Sequence, residues 1–186
     1  MPRLFGTDGI RGVVGEELTP ELVEKIGRAA TLWAQNAAKS EEGSDPGHVL
    51  IGRDTRASGP QLEEALARGI VSAGGTAVLA GILPTPAVAL LAEDLGAVVS
   101  ASHNPPEYNG VKFFDRDGNK LSDESEEEIE AVLDAPGFDR LPLATGTVDR
   151  VEVATDSYLE HILERFGSDL TGLKIAVDCA NGAYSE

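Results

Sequence analysis

The stretch TAVLAGILPTPAVALLAEDLGAVVSAS, residues 76–102, predicts a strand, a helix and a second strand in succession. Residues 76–83 are a short apolar run, which is typical of a strand buried on both faces of a sheet. A Thr-Pro pair begins the helix predicted over 85–96, and a glycine ends it. Residues 97–102 form the next strand. Short connections between these elements indicate a βαβ unit with parallel strands.

The same alternation extends in both directions from this unit. Apolar positions at helical spacing predict four more helices, at 18–39, 58–75, 123–134 and 154–167. An apolar run predicts a strand at 48–54, and an Asp-Gly pair inside 110–122 predicts a hairpin. Residues 135–148 are expected to be irregular. We therefore predict an α/β fold, a three-layer α/β/α domain around a mostly parallel mixed sheet.

A domain boundary is expected near residues 168–172. Residues 1–168 would form the first domain, and residues 169–186 would begin a second, similar one. The apolar run LKIAVDCA (173–180) is predicted as the first strand of that domain. A strand of this kind needs neighbours to pair with, so we expect the sequence to stop inside the second domain.

The charge distribution indicates a small anionic ligand. The net charge is −17, from 15 Lys and Arg against 32 Asp and Glu, so nucleic acid and anionic membranes are not expected as partners. No apolar run is long enough for a transmembrane helix, and no secretory signal is evident. The single cysteine fits a cytoplasmic protein. Several arginines and lysines nevertheless lie in or beside glycine-containing loops. They either form a positive pocket for such a ligand or are simply solvated.

Polar and reactive side chains follow the strand at 97–102. Ser100, Ser102, His103 and Asn104 come at its end, and Lys112 follows on the next apolar run. Ligands of open α/β sheets bind at the carboxyl ends of the strands. A lone serine or histidine in a turn is usually structural, but this combination predicts a nucleophile with polar helpers and a proton carrier.

Two glycine-containing loops carry arginines. The segment FGTDGIRGVVG (5–15) places Asp8 and Arg11 together. The segment GRDTRASG (52–59) has an aspartate between two arginines, Asp54 between Arg53 and Arg56. Glycine-rich backbone with arginine suits the binding of an oxyanion. Pairing of the two arginines with the local aspartate is the simpler alternative for the second loop.

Three stretches together resemble the α-D-phosphohexomutase family: FGTDGIRG, GRDTRASG and SASHNPPEYNGVKFF, of which ASHNP is the most specific piece. The resemblance extends through essentially the whole chain. It implies a four-domain protein whose first domain supplies a phosphoserine loop. The opening stretch is more similar to the branch acting on glucosamine phosphates than to the branch acting on mannose and glucose phosphates.

The resemblance implies a role for each candidate residue. Ser102 matches the serine that carries a phosphoryl group in the resting enzyme and binds the metal through it. His103 and Asn104 match the turn that shapes this loop at the catalytic and phosphate-binding site. Lys112 matches a lysine proposed to assist proton transfer, and Arg11 matches an arginine near the phosphoserine.

The implied activity is the interconversion of glucosamine 6-phosphate and glucosamine 1-phosphate through a bound bisphosphate, for amino-sugar nucleotide and cell-wall precursor synthesis. The implied cofactor is Mg²⁺, whose aspartate ligands belong to a loop beyond residue 186. This chain alone is therefore expected to be inactive. Two alternative interpretations remain: a phosphomannomutase or phosphoglucomutase, and a phosphosugar-binding module without turnover. The oligomeric state is not evident from the sequence.

Overall fold

A computed structural model describes residues 4–38, 47–152 and 154–185. Six strands form its sheet: β1 (Ile10–Val13), β2 (His48–Arg53), β3 (Thr76–Ile82), β4 (Leu95–Val99), β5 (Tyr108–Asp115) and β6 (Thr147–Arg150). Their order across the sheet is β1-β5-β4-β2-β3-β6. The strands β4, β2, β3 and β6 are parallel, while β5 pairs antiparallel with both β4 and β1. The predicted mostly parallel mixed sheet is confirmed.

Five α-helices cover the two faces of the sheet: α1 (Pro20–Ala38), α2 (Gly59–Ser72), α3 (Thr85–Leu91), α4 (Asp123–Leu133) and α5 (Ala154–Phe166). Helices α1, α2 and α4 pack in one hydrophobic cluster, and α3 and α5 pack in a second. The three-layer prediction is therefore confirmed. Lys39, which was included in the first predicted helix, lies outside the described residues. Of the helices described, none has the length and apolar character needed to cross a lipid bilayer.

Successive strand residues point to opposite faces of the sheet, as the extended backbone requires. Ile51 and Phe113 belong to the first cluster, whereas their neighbours Leu50 and Phe114 belong to the second. Both faces are thus apolar along the central strands, which explains why these strands read as continuous apolar runs rather than alternating ones.

The boundary between α3 and β4 differs from the prediction. The helix ends at Leu91 rather than near residue 96, and β4 begins at Leu95 rather than at 97. Leu95 is 2% exposed and pairs with Val49 of β2. The glycine at position 96, which was expected to end the helix, therefore lies inside β4. Burial of the Leu95 side chain against the sheet explains why the strand begins before this glycine.

The two outermost strands were not predicted. β1 lies within the segment 5–15, which was expected to be a loop, so Arg11 lies on a strand. β6 begins inside the segment 135–148, which was expected to be irregular, and all four of its residues are exposed. The exposed residues of β6 have no apolar pattern, whereas β1 is only four residues long and alternates buried with half-buried positions. Hydrogen bonds to one neighbouring strand define each of them.

Residues 173–180 are not a strand in the structure, so this part of the fold prediction is wrong. The segment pairs with no strand of the described residues, and Ile175 and Val177 are 63% and 77% exposed. An extended apolar segment becomes a strand only when a neighbour takes up its backbone hydrogen bonds. The division into residues 1–168 and 169–186 stays a prediction.

Candidate functional site

The carboxyl ends of β2 and β4 lie side by side because the two strands are parallel neighbours. The loops that follow them, together with residues 179–184, line an open cavity of about 890 Å³. Ser102, His103 and Asn104 all line this cavity. This is the edge at which open α/β sheets bind ligands, as the sequence predicted.

Ser102 has a left-handed backbone conformation, with a φ of 53°. This conformation costs a non-glycine residue about 1–2 kcal/mol, because the Cβ approaches the carbonyl oxygen. The turn around it is closed by the Asn104 N–H, which donates to the Ala101 carbonyl at 3.0 Å. The Ser102 side chain is exposed beside the cavity. A strained, exposed serine at this edge is a functional candidate on geometric grounds.

Arg56 binds the backbone of the same turn. Its Nη2 donates to the carbonyls of Ser102 at 2.7 Å and Asn104 at 2.8 Å. Its Nη1 donates to those of Pro105 at 2.7 Å and Tyr108 at 3.0 Å. The guanidinium is therefore surrounded by four carbonyl oxygens of one loop. The same side chain is 11% exposed, so little of it is available to solvent.

Asp54 joins Arg56 to the serines. Its carboxylate accepts the Arg56 backbone N–H and Nε–H, each at 3.0 Å. The Ser100 hydroxyl donates to the same carboxylate at 2.7 Å, and its oxygen accepts the Ser102 N–H at 3.0 Å. Ser100 thus lies in a hydrogen-bonded chain behind Ser102.

His103 and Asn104 contribute to this loop in different ways. The His103 Nδ1 lies 3.4 Å from the Ser102 Oγ, longer than an ordinary hydrogen bond between these groups. Asn104 uses its backbone N–H and carbonyl in the turn. Both side chains border the cavity, and their proposed catalytic and phosphate-binding roles stay predictions.

Arg11 and Lys112 form a second cluster around Asp8. The two carboxylate oxygens of Asp8 contact the Arg11 Nη2 and the Lys112 Nζ. The hydrogen bond from Lys112 is the main cause that holds the pKa of Asp8 below its ordinary value, and the charges of Lys112 and Arg11 add to it. The Arg11 Nε–H is buried and has no hydrogen-bond partner among the described residues.

The two clusters are adjacent but separate. Arg11 and Lys112 do not line the cavity that Ser102 borders, although the sequence placed Lys112 within reach of the same pocket. Gly110 lies between them. A Cβ built on it would be 2.8 Å from the Ser100 carbonyl oxygen and 2.9 Å from the Arg11 Cγ. The backbone that carries Arg11 and Lys112 therefore lies next to residues 100–108, the serine loop, while their charged groups contact Asp8.

The described residues supply no metal site of their own. Within 4–38, 47–152 and 154–185, no three His, Cys, Asp or Glu side chains are grouped so that they could hold a metal ion. The Asp54 carboxylate is already engaged by Arg56 and Ser100. A metal at this edge would therefore need carboxylates that are not among the described residues.

The sequence missed the part that Asp54 and Arg56 play in this site. Their pairing with each other was the simpler alternative, and the structure has it, with the Arg56 Nε 3.0 Å from the Asp54 Oδ2. Arg53 pairs instead with Glu63 on α2. The topology could have predicted this role. The loop after β2, which carries Asp54 and Arg56, lies beside the loop after β4 because the two strands are parallel neighbours.

Comparisons with known proteins agree with this fold. Residues 2–140 match the family described as phosphoglucomutase/phosphomannomutase, alpha/beta/alpha domain I. A crystal structure of a phosphoglucomutase/phosphomannomutase family protein from Burkholderia thailandensis is 31% identical, with a TM-score of 0.71. The match covers 88% of this chain and 36% of that protein.

Curated relatives are more similar in sequence. Phosphoglucosamine mutase from Clostridium acetobutylicum is 48% identical over 98% of this chain and 41% of its own length. The enzyme of the same name from Levilactobacillus brevis is also 48% identical, over 98% and 42%. The chain thus spans about two fifths of the length of these relatives. On the match over residues 2–140, the chain belongs to the phosphoglucomutase/phosphomannomutase family, whose alpha/beta/alpha domain I it contains.

Proposed function

We propose that this chain is the phosphoserine-bearing part of a phosphoglucosamine mutase, in which Ser102 carries the transferred phosphoryl group. The observation that carries the proposal is Ser102 itself, an exposed residue with a φ of 53° beside a cavity at the carboxyl edge of the sheet. The choice of glucosamine phosphates rests on relatives of that name at 48% identity. The activity belongs to a chain of the relatives' length.

The reaction consists of two phosphoryl transfers. A free sugar hydroxyl attacks the phosphorus of phospho-Ser102, the bond from phosphorus to Oγ breaks, and the proton lost by the hydroxyl is balanced by one gained at Oγ. The bound bisphosphate then presents its other phosphate. The Ser102 Oγ attacks the phosphorus of that phosphate, and the bond from this phosphorus to the sugar oxygen breaks. The proton lost by the Ser102 hydroxyl is balanced by one gained at the sugar oxygen, so phospho-Ser102 re-forms and the isomer is released. Such transfers depend mainly on positioning and on stabilisation of charge.

Arg11 and Lys112 are proposed to neutralise the phosphate charge. A phosphoserine carries about −1.5 to −2 charges near neutral pH, so it requires cations nearby. The Arg11 side chain is 24% exposed and contacts Asp8 through its Nη2, and its partial exposure supports a role as donor to a phosphate. The contact of Lys112 with Asp8 supports a charged clamp, since opposite charges stabilise each other. Proton transfer by Lys112 is the alternative.

Mg²⁺ is the proposed cofactor, with the phosphate on Ser102 as one ligand. The described residues do not complete such a site, and its remaining ligands would be carboxylates outside them. The proposed substrate is a small phosphosugar, and neither nucleic acid nor a membrane is proposed as a partner. The proposed location is the cytoplasm. His103 and Asn104 are proposed to keep the turn open toward that substrate.

The experiment compares phosphates of glucosamine, mannose and glucose as substrates of the full-length protein that contains this chain. Glucosamine 6-phosphate is expected to be turned over fastest. Ser102→Ala should abolish this turnover, and the control variant Ser168→Ala should retain it, because Ser168 is an exposed serine distant in sequence from the loop. Faster turnover of mannose or glucose phosphates would reassign the substrate. Phosphosugar binding without turnover would favour the binding module.

A further inference from the structure

All five N–H donors of the Arg56 guanidinium are in use. A guanidinium has one donor at Nε and two at each Nη. The Nε–H binds Asp54, and the four Nη–H groups bind the four carbonyls of the serine loop. No donor is left for a substrate phosphate. Although Arg56 borders the cavity, its contacts are therefore with the loop and not with a ligand.

These contacts fix both sides of Ser102. On one side, the Ser102 carbonyl accepts from the Arg56 Nη2 at 2.7 Å. On the other, the Ser102 N–H donates to the Ser100 Oγ, whose own proton goes to Asp54. Because Asp54 also binds Arg56, one network holds the peptide groups before and after the serine. Fixing both groups restricts the backbone rotation on which the φ of 53° depends.

The geometry points to Arg56, together with Asp54, as the positioning residue that holds Ser102 in its left-handed conformation beside the cavity. Arg56 acts through the loop and touches no substrate. Its consequence for turnover rests on the proposed function, but its effect on the conformation of Ser102 does not. The two are therefore tested separately.

The conformational test compares Ser102→Gly with Ser102→Ala in the 186-residue chain. Both variants lack the hydroxyl, and only alanine is strained at positive φ. The unfolding equilibrium constant of the alanine variant should therefore be roughly fivefold larger than that of the glycine variant. In an Arg56→Gln background the ratio should fall to about one or below, because the released loop no longer imposes positive φ.

Arg68→Gln is the matched control background. Arg68 is an exposed arginine whose Nε binds Glu24 at 2.9 Å, away from the serine loop. The fivefold ratio should persist in it. An equal ratio in the Arg56→Gln and Arg68→Gln backgrounds would overturn the proposal. If Arg56→Gln does not fold, Arg56→Lys serves in its place. A lysine has three donors on one nitrogen and cannot bind four carbonyls, so a reduced ratio is again expected.

The functional test measures kcat and KM of Arg56→Lys in the full-length protein. A kcat at least roughly tenfold lower with a nearly unchanged KM is expected, because the serine is misplaced while the substrate contacts remain. A raised KM with unchanged kcat would mean that Arg56 binds substrate, and would overturn the positioning role. If the ratio at residue 102 responds to Arg56 but the full-length protein has no mutase activity, the positioning survives and the proposed function fails.

Discussion

Gly9→Ala tests how closely the opening segment approaches the strand that carries Lys112. Gly9 has a φ of 83°, and a Cβ built on it would lie 2.5 Å from the Val111 carbonyl oxygen and 3.2 Å from the Lys112 Cα. Both the backbone of β5 and the opening segment would have to shift. Gly15→Ala is the matched control, because Gly15 has a φ of 86° and nothing within 4 Å of the same position.

The two variants share one cost and differ in another. Positive φ costs an alanine about 1–2 kcal/mol at either position. Overpacking against backbone adds about 1–3 kcal/mol at Gly9 alone. We therefore expect the free energy of unfolding to fall by about 2–5 kcal/mol for Gly9→Ala and by about 1–2 kcal/mol for Gly15→Ala.

Urea unfolding of the two variants and the parent chain measures this difference. The transition midpoints should follow the order parent, Gly15→Ala, Gly9→Ala, with similar slopes because the surface exposed on unfolding is unchanged. Equal losses in the two variants would refute the close approach of Gly9 to β5. The placement of Asp8 beside Lys112 would then also be in doubt, since Gly9 follows Asp8 directly.

Three further results are expected. Lys112→Met in the full-length protein should lower kcat at least roughly 100-fold with little change in melting temperature, whereas Lys174→Met should not; an unaffected rate would exclude Lys112 from the reaction. The folded-state pKa of Asp8 lies below its ordinary 3.8, so its stabilising contribution is present above that pH and is lost as the pH falls through the folded pKa. The parent's advantage over Asp8→Asn should therefore shrink on acidification; an advantage independent of pH would contradict the ion pairs. Burial raises the pKa of Glu63 above its ordinary 4.5, so the parent should lose stability relative to Glu63→Gln as the pH rises from 4.5 through the raised value. Parallel pH profiles for the parent and Glu63→Gln would contradict that burial.

The central layers of the fold were predictable from local patterns. The Thr-Pro pair at 85–86 begins α3, and the apolar runs of β2, β3 and β5 lie in the middle of the sheet. The edge strands β1 and β6 were not predictable for different reasons. All residues of β6 are exposed and need no apolar alternation, and the four residues of β1, of which Ile10 is buried, are too few to show one. The strand expected at 173–180 had the right composition but no partner in the described residues.

The candidate site was predictable only to the level of which loop carries the proposed nucleophile. The order of serines, histidine and asparagine after a buried strand indicates a nucleophile in this loop, and the resemblance to the phosphohexomutase family implies that it is Ser102. The role of Arg56 depends on carbonyls 46 to 52 residues away in sequence, which no local pattern contains. Likewise, the separation of Lys112 from the cavity follows from its contact with Asp8, which precedes β1.

Phosphopeptide mapping of the full-length protein, purified without phosphatase treatment, tests the central claim most directly. The account predicts phosphate on Ser102, whose side chain is exposed beside the cavity, and none on Ser100, whose hydroxyl donates to Asp54. Phosphate on Ser100 alone would contradict the assignment of the phosphoryl carrier, and so would full turnover by a protein with no phosphate at Ser102.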